Sequence, residues 1–106
     1  MPVVINKFGQ AVTTSRDVAH MFDQRHCEVA KRIRRILRSI PDEQFKHEHF
    51  KLKAYRDDQG RLQFEYELTL VGTLFLIAPM AIGAENMAVK IACVRMFEQA
   101  TDKVKI

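Results

Sequence analysis

The sequence predicts one domain of the α+β class, because segments with helical and strand-like patterns follow one another in blocks. Apolar residues recur at helical spacing within 13–40 and 69–104, whereas residues 51–68 are rich in strand formers. A length of 106 residues, 47% of them hydrophobic, suits one domain, 1–106, with a buried core. The most apolar stretch, 68–83, contains Pro79 and is shorter than the roughly 20 residues of a membrane-spanning helix, so no membrane span is expected.

Two short β-prone segments, 3–5 and 11–13, open the chain and are joined by a loop that contains Gly9. Strand formers on both sides of a glycine-containing loop predict a small β-hairpin. The hairpin leads into Thr14 and Ser15, either of which can cap a helix with its hydroxyl group.

A helix of about two turns is predicted after this cap. Asp17 places a negative charge in its first turn, where the helix dipole favours one. Asp23 and Gln24 break the helix. The side chain of Asp23 is expected to cap the next helix by accepting from its exposed backbone N–H groups. The buried side of the short helix is expected to consist of Val18, Ala19, Met21 and Phe22.

A longer helix is predicted over about residues 25–40, and Pro41 stops it. Its apolar residues fall on one face of a 3.6-residue period, which predicts that this face is buried. Lys31, Arg35 and Arg38 are expected to point away from that face. The apolar residues are Val29, Ile33, Ile36, Leu37 and Ile40.

The positive charge of the chain is concentrated in this helix. Between residues 25 and 38 lie six basic residues and one acidic residue, Glu28, a net charge of +5. The remaining chain has 11 basic and 12 acidic residues, a net charge of −1. A cationic helix on a nearly neutral body is typical of a nucleic-acid-binding protein. The six basic residues are Arg25, Lys31, Arg32, Arg34, Arg35 and Arg38.

A second hairpin is predicted over about residues 51–68, after a polar linker or helical turn that Phe45 and Phe50 anchor. Its strand-like runs flank a turn in which Gly60 can take a positive φ angle. The hairpin carries basic residues on both runs and two aspartates in its turn.

Two apolar helices are predicted over about residues 69–104. Thr69 is expected to cap the first helix, 70–78, and Pro79 and Gly83 separate it from the second. Together they hold more apolar residues than the core of a small domain requires. Most are expected in the core, and the rest are expected to form a homodimer face.

The order hairpin, helix, turn, helix, hairpin, helices is that of a winged helix-turn-helix domain, with the helix pair at about 14–40 and the wing at about 51–68. A helix fits the major groove of B-DNA, and residues near its N-terminus reach deepest. Double-stranded DNA is therefore the predicted partner. The residues predicted to face base edges are Gln24, Arg25, Glu28, Lys31 and Arg32. Those predicted to flank this face or to contact phosphates are Arg34, Arg35 and Arg38, and the wing residues predicted at the DNA are Lys51, Lys53, Arg56 and Arg61.

A basic face of this kind is also typical of a solvated helix surface, and the wing residues are equally typical of ordinary surface cations. These alternatives stay open at the level of sequence.

The sequence predicts no metal site, cofactor or enzymatic activity. His47 and His49 form an HxH pair, but zinc-binding spacings such as CxxC or HxxxH are missing. His26 and Cys27 occupy adjacent helix positions, which point apart, so they do not form a nucleophile–base pair. Cys27 and Cys93 are expected to be reduced thiols, the first partly exposed and the second buried.

The motif TTSRDVAHMFDQRHCEVAKRIRRI at 13–36 resembles the N-terminal signature of phage regulatory proteins of the Rha type. The hairpin segment at 50–69 is also similar to theirs, and the resemblance covers roughly residues 10–100. The residues that carry it in the helix pair are Thr14, Ser15, Arg16, Val18, Ala19, Phe22, Arg25, His26, Val29, Ile33 and Arg34. In the later part they are Tyr55, Asp57, Gly60, Arg61, Tyr66, Leu68, Thr69, Lys90, Ile91 and Ala92.

This resemblance implies a phage or prophage transcriptional regulator in the bacterial cytoplasm, associated with the nucleoid, with a winged-helix DNA-binding domain. For His26 it implies either a hydrogen bond that locks the start of the helix or a DNA contact. Many such proteins continue into an antirepressor-like domain, so the chain is expected to be a stand-alone module or a fragment.

The chain departs from the family pattern in its C-terminal part. Leu70 and Val71 stand where the family has an Arg-Asp pair, and Ala84 and Glu85 stand where it has a lysine pair. These exchanges predict the loss of a charged contact and the gain of an apolar interface. The alternative to DNA binding is therefore an antirepressor-like module that binds another regulator through its apolar C-terminal face.

Overall fold

The computed structural model describes residues 3–80 and 83–104, with residues 84–85 and 102–104 described by their backbone alone. Within these residues it contains four strands and five helices. The strands are β1 (Val4–Ile5), β2 (Ala11–Thr14), β3 (Phe50–Arg56) and β4 (Leu62–Leu68), and the helices are α1 (Ser15–Met21), α2 (His26–Ser39), α3 (Glu43–His49), α4 (Leu70–Ile77) and α5 (Ala84–Val104).

The predicted mixed α+β domain is confirmed, with both hairpins, the helix pair and the two C-terminal helices at the predicted places. The segment expected as a linker or helical turn forms α3, which runs directly into β3. The expectation that concerned the side chains of Ala84 and Glu85 lies outside the described residues. No helix in the described part of the chain combines the length and the apolar character needed to cross a membrane.

The strands form an antiparallel sheet in the order β1-β2-β4-β3. Strands β3 and β4 pair along their whole length, from Phe50 opposite Leu68 to Arg56 opposite Leu62. Strand β2 joins the other side of β4, with Thr13 opposite Leu68. The strand that precedes the helix pair is thus tied to the hairpin that follows it.

The core lies between the helix pair, the base of the β3–β4 hairpin and α4. Burial of the apolar faces of α1 and α2 stabilises this arrangement, since each fully buried aliphatic side chain contributes about 1.5–3 kcal/mol. The central side chains are Val18, Phe22, Val29, Ile33, Phe50, Leu68, Leu76, Ile77 and Cys93.

The turn between α1 and α2 differs from the sequence expectation. Thr14 caps α1, and its hydroxyl accepts from the N–H of Asp17 at 3.1 Å. Asp23 does not cap α2: Arg25 precedes that helix, without a side-chain capping bond. Asp23 has a positive φ of 53° and donates its backbone N–H to His20 O at 3.2 Å, ending α1. The prediction that Asp23 caps α2 is therefore wrong, because this residue closes the preceding helix.

Replacing Asp23 by glycine is expected to stabilise the protein by about 0.5–1 kcal/mol, because the left-handed conformation costs a residue with a Cβ about 1–2 kcal/mol and glycine very little. The gain is smaller than this cost because glycine makes the unfolded chain more flexible. Urea unfolding of both proteins measures the difference, and Asp23→Ala, which keeps the Cβ, is the control. Equal stability of the glycine and alanine variants would contradict this explanation.

Candidate nucleic-acid interface

Helix α2 presents a buried face to the core and a basic face to solvent. Val29, Ala30 and Ile33 are buried, and Ile36 and Leu37 are partly buried against the core. The opposite side holds exposed cations at three- and four-residue spacings, so that they extend along about two turns of the helix. These exposed cations are Lys31, Arg34, Arg35 and Arg38.

The charges of these four side chains are not compensated inside the protein. Across residues 3–80 and 83–104, none of the four forms an ion pair. Cations elsewhere do: Arg16 pairs with Glu65 at 3.5 Å, and Lys46 pairs with Glu43 at 3.0 Å. These pairs neutralise Arg16 and Lys46, whereas the positive charge of the α2 row faces solvent.

The start of α2 is also open. Gln24 and Arg25 are exposed, and the Arg25 guanidinium lies 3.8 Å from the carboxylate of Glu28, a loose surface pair. Arg32 is half-buried at the edge of the helix, and its Nε is buried with no hydrogen-bond partner among the described residues. The structure thus gathers most of the predicted base-facing residues on one accessible surface.

A buried junction fixes the position of α2. The hydroxyl of Ser15, at the start of α1, lies 2.8 Å from Nε2 of His26, at the start of α2. The same hydroxyl accepts the backbone N–H of Tyr66 in β4 at 2.9 Å. Three elements therefore meet at one serine. The sequence predicts only a capping role for Ser15, because contacts 11 and 51 residues apart leave no local signal.

Burial, reinforced by the positive charges of Arg16 and Arg34, lowers the pKa of His26 below its ordinary value of 6.5. The neutral imidazole can accept the Ser15 O–H through Nε2, whereas the protonated ring cannot accept a hydrogen bond. This contact is the hydrogen bond that the helix-locking alternative for His26 requires.

Acidification is expected to destabilise the protein through His26. Because the folded pKa lies below the unfolded one, the unfolded chain binds more protons between these values, and the free energy of unfolding falls as the pH drops below about 6.5. Urea unfolding at pH 7 and pH 5 is expected to show that the free energy of unfolding falls less in His26→Gln than in the parent protein. The exposed His47→Gln variant is the control, and a pH dependence unchanged in His26→Gln would contradict the assignment.

The family model described as phage regulatory protein Rha matches residues 13–102, which include the helix pair, its basic face and the second hairpin. The chain belongs to the phage regulatory protein Rha family. Comparison with curated proteins and with solved structures gives no match. The family membership supports a phage regulator role for this chain.

In this Rha-family domain, the basic residues of the β3–β4 hairpin are engaged within the protein, unlike those of α2. Lys53 pairs with Glu67, and Arg61 pairs with Asp57 at 3.0 Å. Arg56 donates to Gly60 O at 3.0 Å, at the same turn. The N–H of Arg61 is the main cause of the lowered pKa of Asp57, so this carboxylate stays charged at the turn.

The remaining predicted wing residue, Lys51, is half-buried, and its ammonium group lies 5.2 Å from the ring centroid of Phe8. These contacts leave the hairpin cations less available to a phosphate than the cations of α2.

No group of three or more possible metal ligands occurs within the part of the chain that the structure describes. Cys27 is exposed and Cys93 is buried, as predicted, and burial raises the pKa of the Cys93 thiol. His49 lies 2.6 Å from the Thr69 hydroxyl, where it joins α3 to the start of α4. His26 and His49 are thus each held by a hydrogen bond to a hydroxyl group, and Cys93 is buried.

Proposed function

We propose that this chain is a phage or prophage regulator that binds double-stranded DNA in the bacterial cytoplasm, with α2 in the major groove. The observation that carries the proposal is the row of four exposed, unpaired cations on α2. Such a row meets the phosphates on both sides of a groove while residues at the start of the helix reach base edges. The role requires no catalytic group.

The connectivity around α2 supports a winged helix-turn-helix arrangement. Helix α1, a short turn and α2 are followed by the β3–β4 hairpin, and β2 extends the hairpin to three strands. In such an arrangement the second helix enters the groove and the hairpin lies beside it. We assign base contacts to Gln24, Arg25 and Lys31.

A homodimer is the proposed oligomer, since two-fold symmetry suits the palindromic sites that such regulators read. Its support is the apolar surface left exposed on the C-terminal helices, with Phe75 of α4 at 46% and Ile91 of α5 at 51% exposure. A different protein partner at this face is the second candidate.

Selection of bound duplexes from a random pool, followed by fluorescence-anisotropy titration at two salt concentrations, tests the proposal. We expect an enriched motif and an affinity that falls steeply with salt, because each phosphate contact releases a counterion. Recovery of two symmetric half-sites would support the dimer. Absence of an enriched motif, or binding insensitive to salt, would overturn the proposal of sequence-specific DNA binding.

A further inference from the structure

Strand β3 lies at the edge of the sheet, so its outer side faces no other strand among residues 3–80 and 83–104. The first five residues of its sequence, FKLKA, alternate apolar and basic residues, and Tyr55 and Arg56 reverse the order. Side chains two positions apart share one face of a strand, so Leu52 and Ala54 lie on one face and Lys51 and Lys53 lie on the other.

Strand β4 already pairs with β3, and its sequence shows which side chains fit opposite those of β3. Strand β4, LQFEYEL, alternates apolar residues with glutamine and glutamate. Glu67 lies opposite Lys51 and Glu65 lies opposite Lys53. Over the same part of the hairpin, apolar residues face one another: Leu68 lies opposite Phe50, Tyr66 opposite Leu52 and Phe64 opposite Ala54. An alternating apolar and acidic strand is therefore complementary to β3 on both faces.

The backbone of β3 has hydrogen-bonding groups available on its outer side. The N–H of Tyr66 donates to Ser15 and so points away from β3. Leu52, opposite Tyr66, is accordingly at a non-hydrogen-bonded position of the antiparallel pair, and its own N–H and C=O point toward the open edge. The two-residue period gives Ala54 the same orientation.

A cavity of about 610 Å³ lies next to this edge, between α3 and the first half of β3. Apolar side chains form much of its lining, and they include Leu37, Phe50 and Tyr66. The lining also contains Leu52, which is 59% exposed, and the same sheet face continues to Phe64, which is 55% exposed. The lining also includes His47, the ion pair of Lys46 with Glu43 at 3.0 Å, and, at the strand edge, Lys51 and Lys53.

We propose that the outer edge of β3 binds an extended acidic segment of a partner protein by strand addition. The segment's backbone would pair with Leu52 and Ala54, and its apolar side chains would cover Leu52 and enter the cavity. Its carboxylates would lie beside Lys51, which forms no ion pair among the described residues, and beside Lys53, whose ammonium group keeps further N–H donors besides the one that holds Glu67. An acidic strand offers carboxylates to both lysines, whereas antiparallel self-pairing centred on Leu52 sets Lys51 against Lys53 of the second copy. This surface is separate from the cationic face of α2.

The test uses a synthetic peptide with the β4 sequence LQFEYEL and a polar solubilising tail, titrated to millimolar concentration into the ¹⁵N-labelled protein. We expect NMR shift changes at the amides of β3 and α3. A second peptide, LQFKYKL, is expected to bind at least about tenfold more weakly, because it places like charges opposite the lysines.

Two protein variants separate strand addition from side-chain contact. Ala54→Pro removes an outward N–H while leaving the β3–β4 ladder intact, and it is expected to weaken peptide binding at least about tenfold. Ala54→Thr keeps the N–H and is expected to bind as the parent does. A peptide with N-methylated alternate amides tests the same bond without altering the protein. Both protein variants are expected to keep the DNA affinity assigned to α2.

Any of four peptide-binding results would overturn the proposal. The first two are the absence of NMR shift changes and shift changes confined to another surface. The third is equal binding of the glutamate and lysine peptides. The fourth is parental affinity both when Ala54→Pro binds the peptide and when the parent protein binds the N-methylated peptide. A loss of duplex affinity in Ala54→Pro with peptide binding retained would also overturn it, and would instead identify the hairpin edge as a DNA contact.

Discussion

Reversing three charges on α2, by Lys31→Glu, Arg35→Glu and Arg38→Glu together, is expected to lower duplex affinity at least about 100-fold at low salt. Each of these side chains is exposed and forms no ion pair among the described residues. Their replacement is therefore expected to lower duplex affinity without removing an ion pair within the protein. Loss of the phosphate contacts of Arg35 and Arg38 should also reduce the slope of log affinity against log salt by about two. Anisotropy titration across a salt series measures both quantities.

Single variants of equal charge separate a local effect from a change in net charge. Arg35→Glu and Lys7→Glu alter the total charge by the same amount, but Lys7 lies in the loop between β1 and β2, where its ammonium group is 5.3 Å from the ring centroid of Phe8. Arg35→Glu is expected to weaken binding clearly more than Lys7→Glu. A folded triple variant with parental affinity would disprove the assignment of α2 as the DNA-binding element, and equal effects of the two single variants would show general electrostatic attraction alone.

The features that sequence predicted best are those governed by local rules. The apolar period of α2 predicted which side is buried, and hydroxyl caps predicted where α1 and α4 begin. Each of these signals lies within one or two helical turns of the residue it concerns.

The features that the sequence did not predict depend on contacts between distant residues, or on a residue that suits two different local structures. Asp23 is a good N-cap residue by type, but the same side chain also tolerates the left-handed conformation that ends α1. The junction of Ser15, His26 and Tyr66 joins residues up to 51 positions apart.

Whether a side chain is available to a partner is likewise a tertiary property. Composition predicted that Lys53 and Arg61 belong to a basic hairpin, but it did not indicate that Glu67 and Asp57 pair with them. It also did not indicate that the apolar face around Leu52 stays uncovered. An alternating strand has a predictable apolar face, yet what packs on that face depends on elements elsewhere in the chain.

Replacing Gly72 by alanine is expected to lower the free energy of unfolding by about 2–4 kcal/mol. A Cβ on this residue of α4 would overlap the backbone carbonyl oxygen of His49, at the end of α3. Because that neighbour is backbone, a rotamer change cannot relieve the overlap, and α3 must move away from α4. Urea denaturation, with the midpoint and the slope compared between variants, measures the effect.

The sign of this change distinguishes close packing from helix propensity. Alanine is favoured over glycine in a helix interior by about 1 kcal/mol, so propensity alone predicts that Gly72→Ala stabilises α4. Gly83→Ala is the control, since a Cβ there meets nothing within 4 Å, and its effect should stay within about 0.5 kcal/mol. Stability equal to or above that of the parent in Gly72→Ala would refute the close approach of the two helices. Since His49 is followed at once by the buried Phe50 of β3, the loss of stability should come with shifted NMR signals at the base of the β3–β4 hairpin, where α3 sets the strand's position.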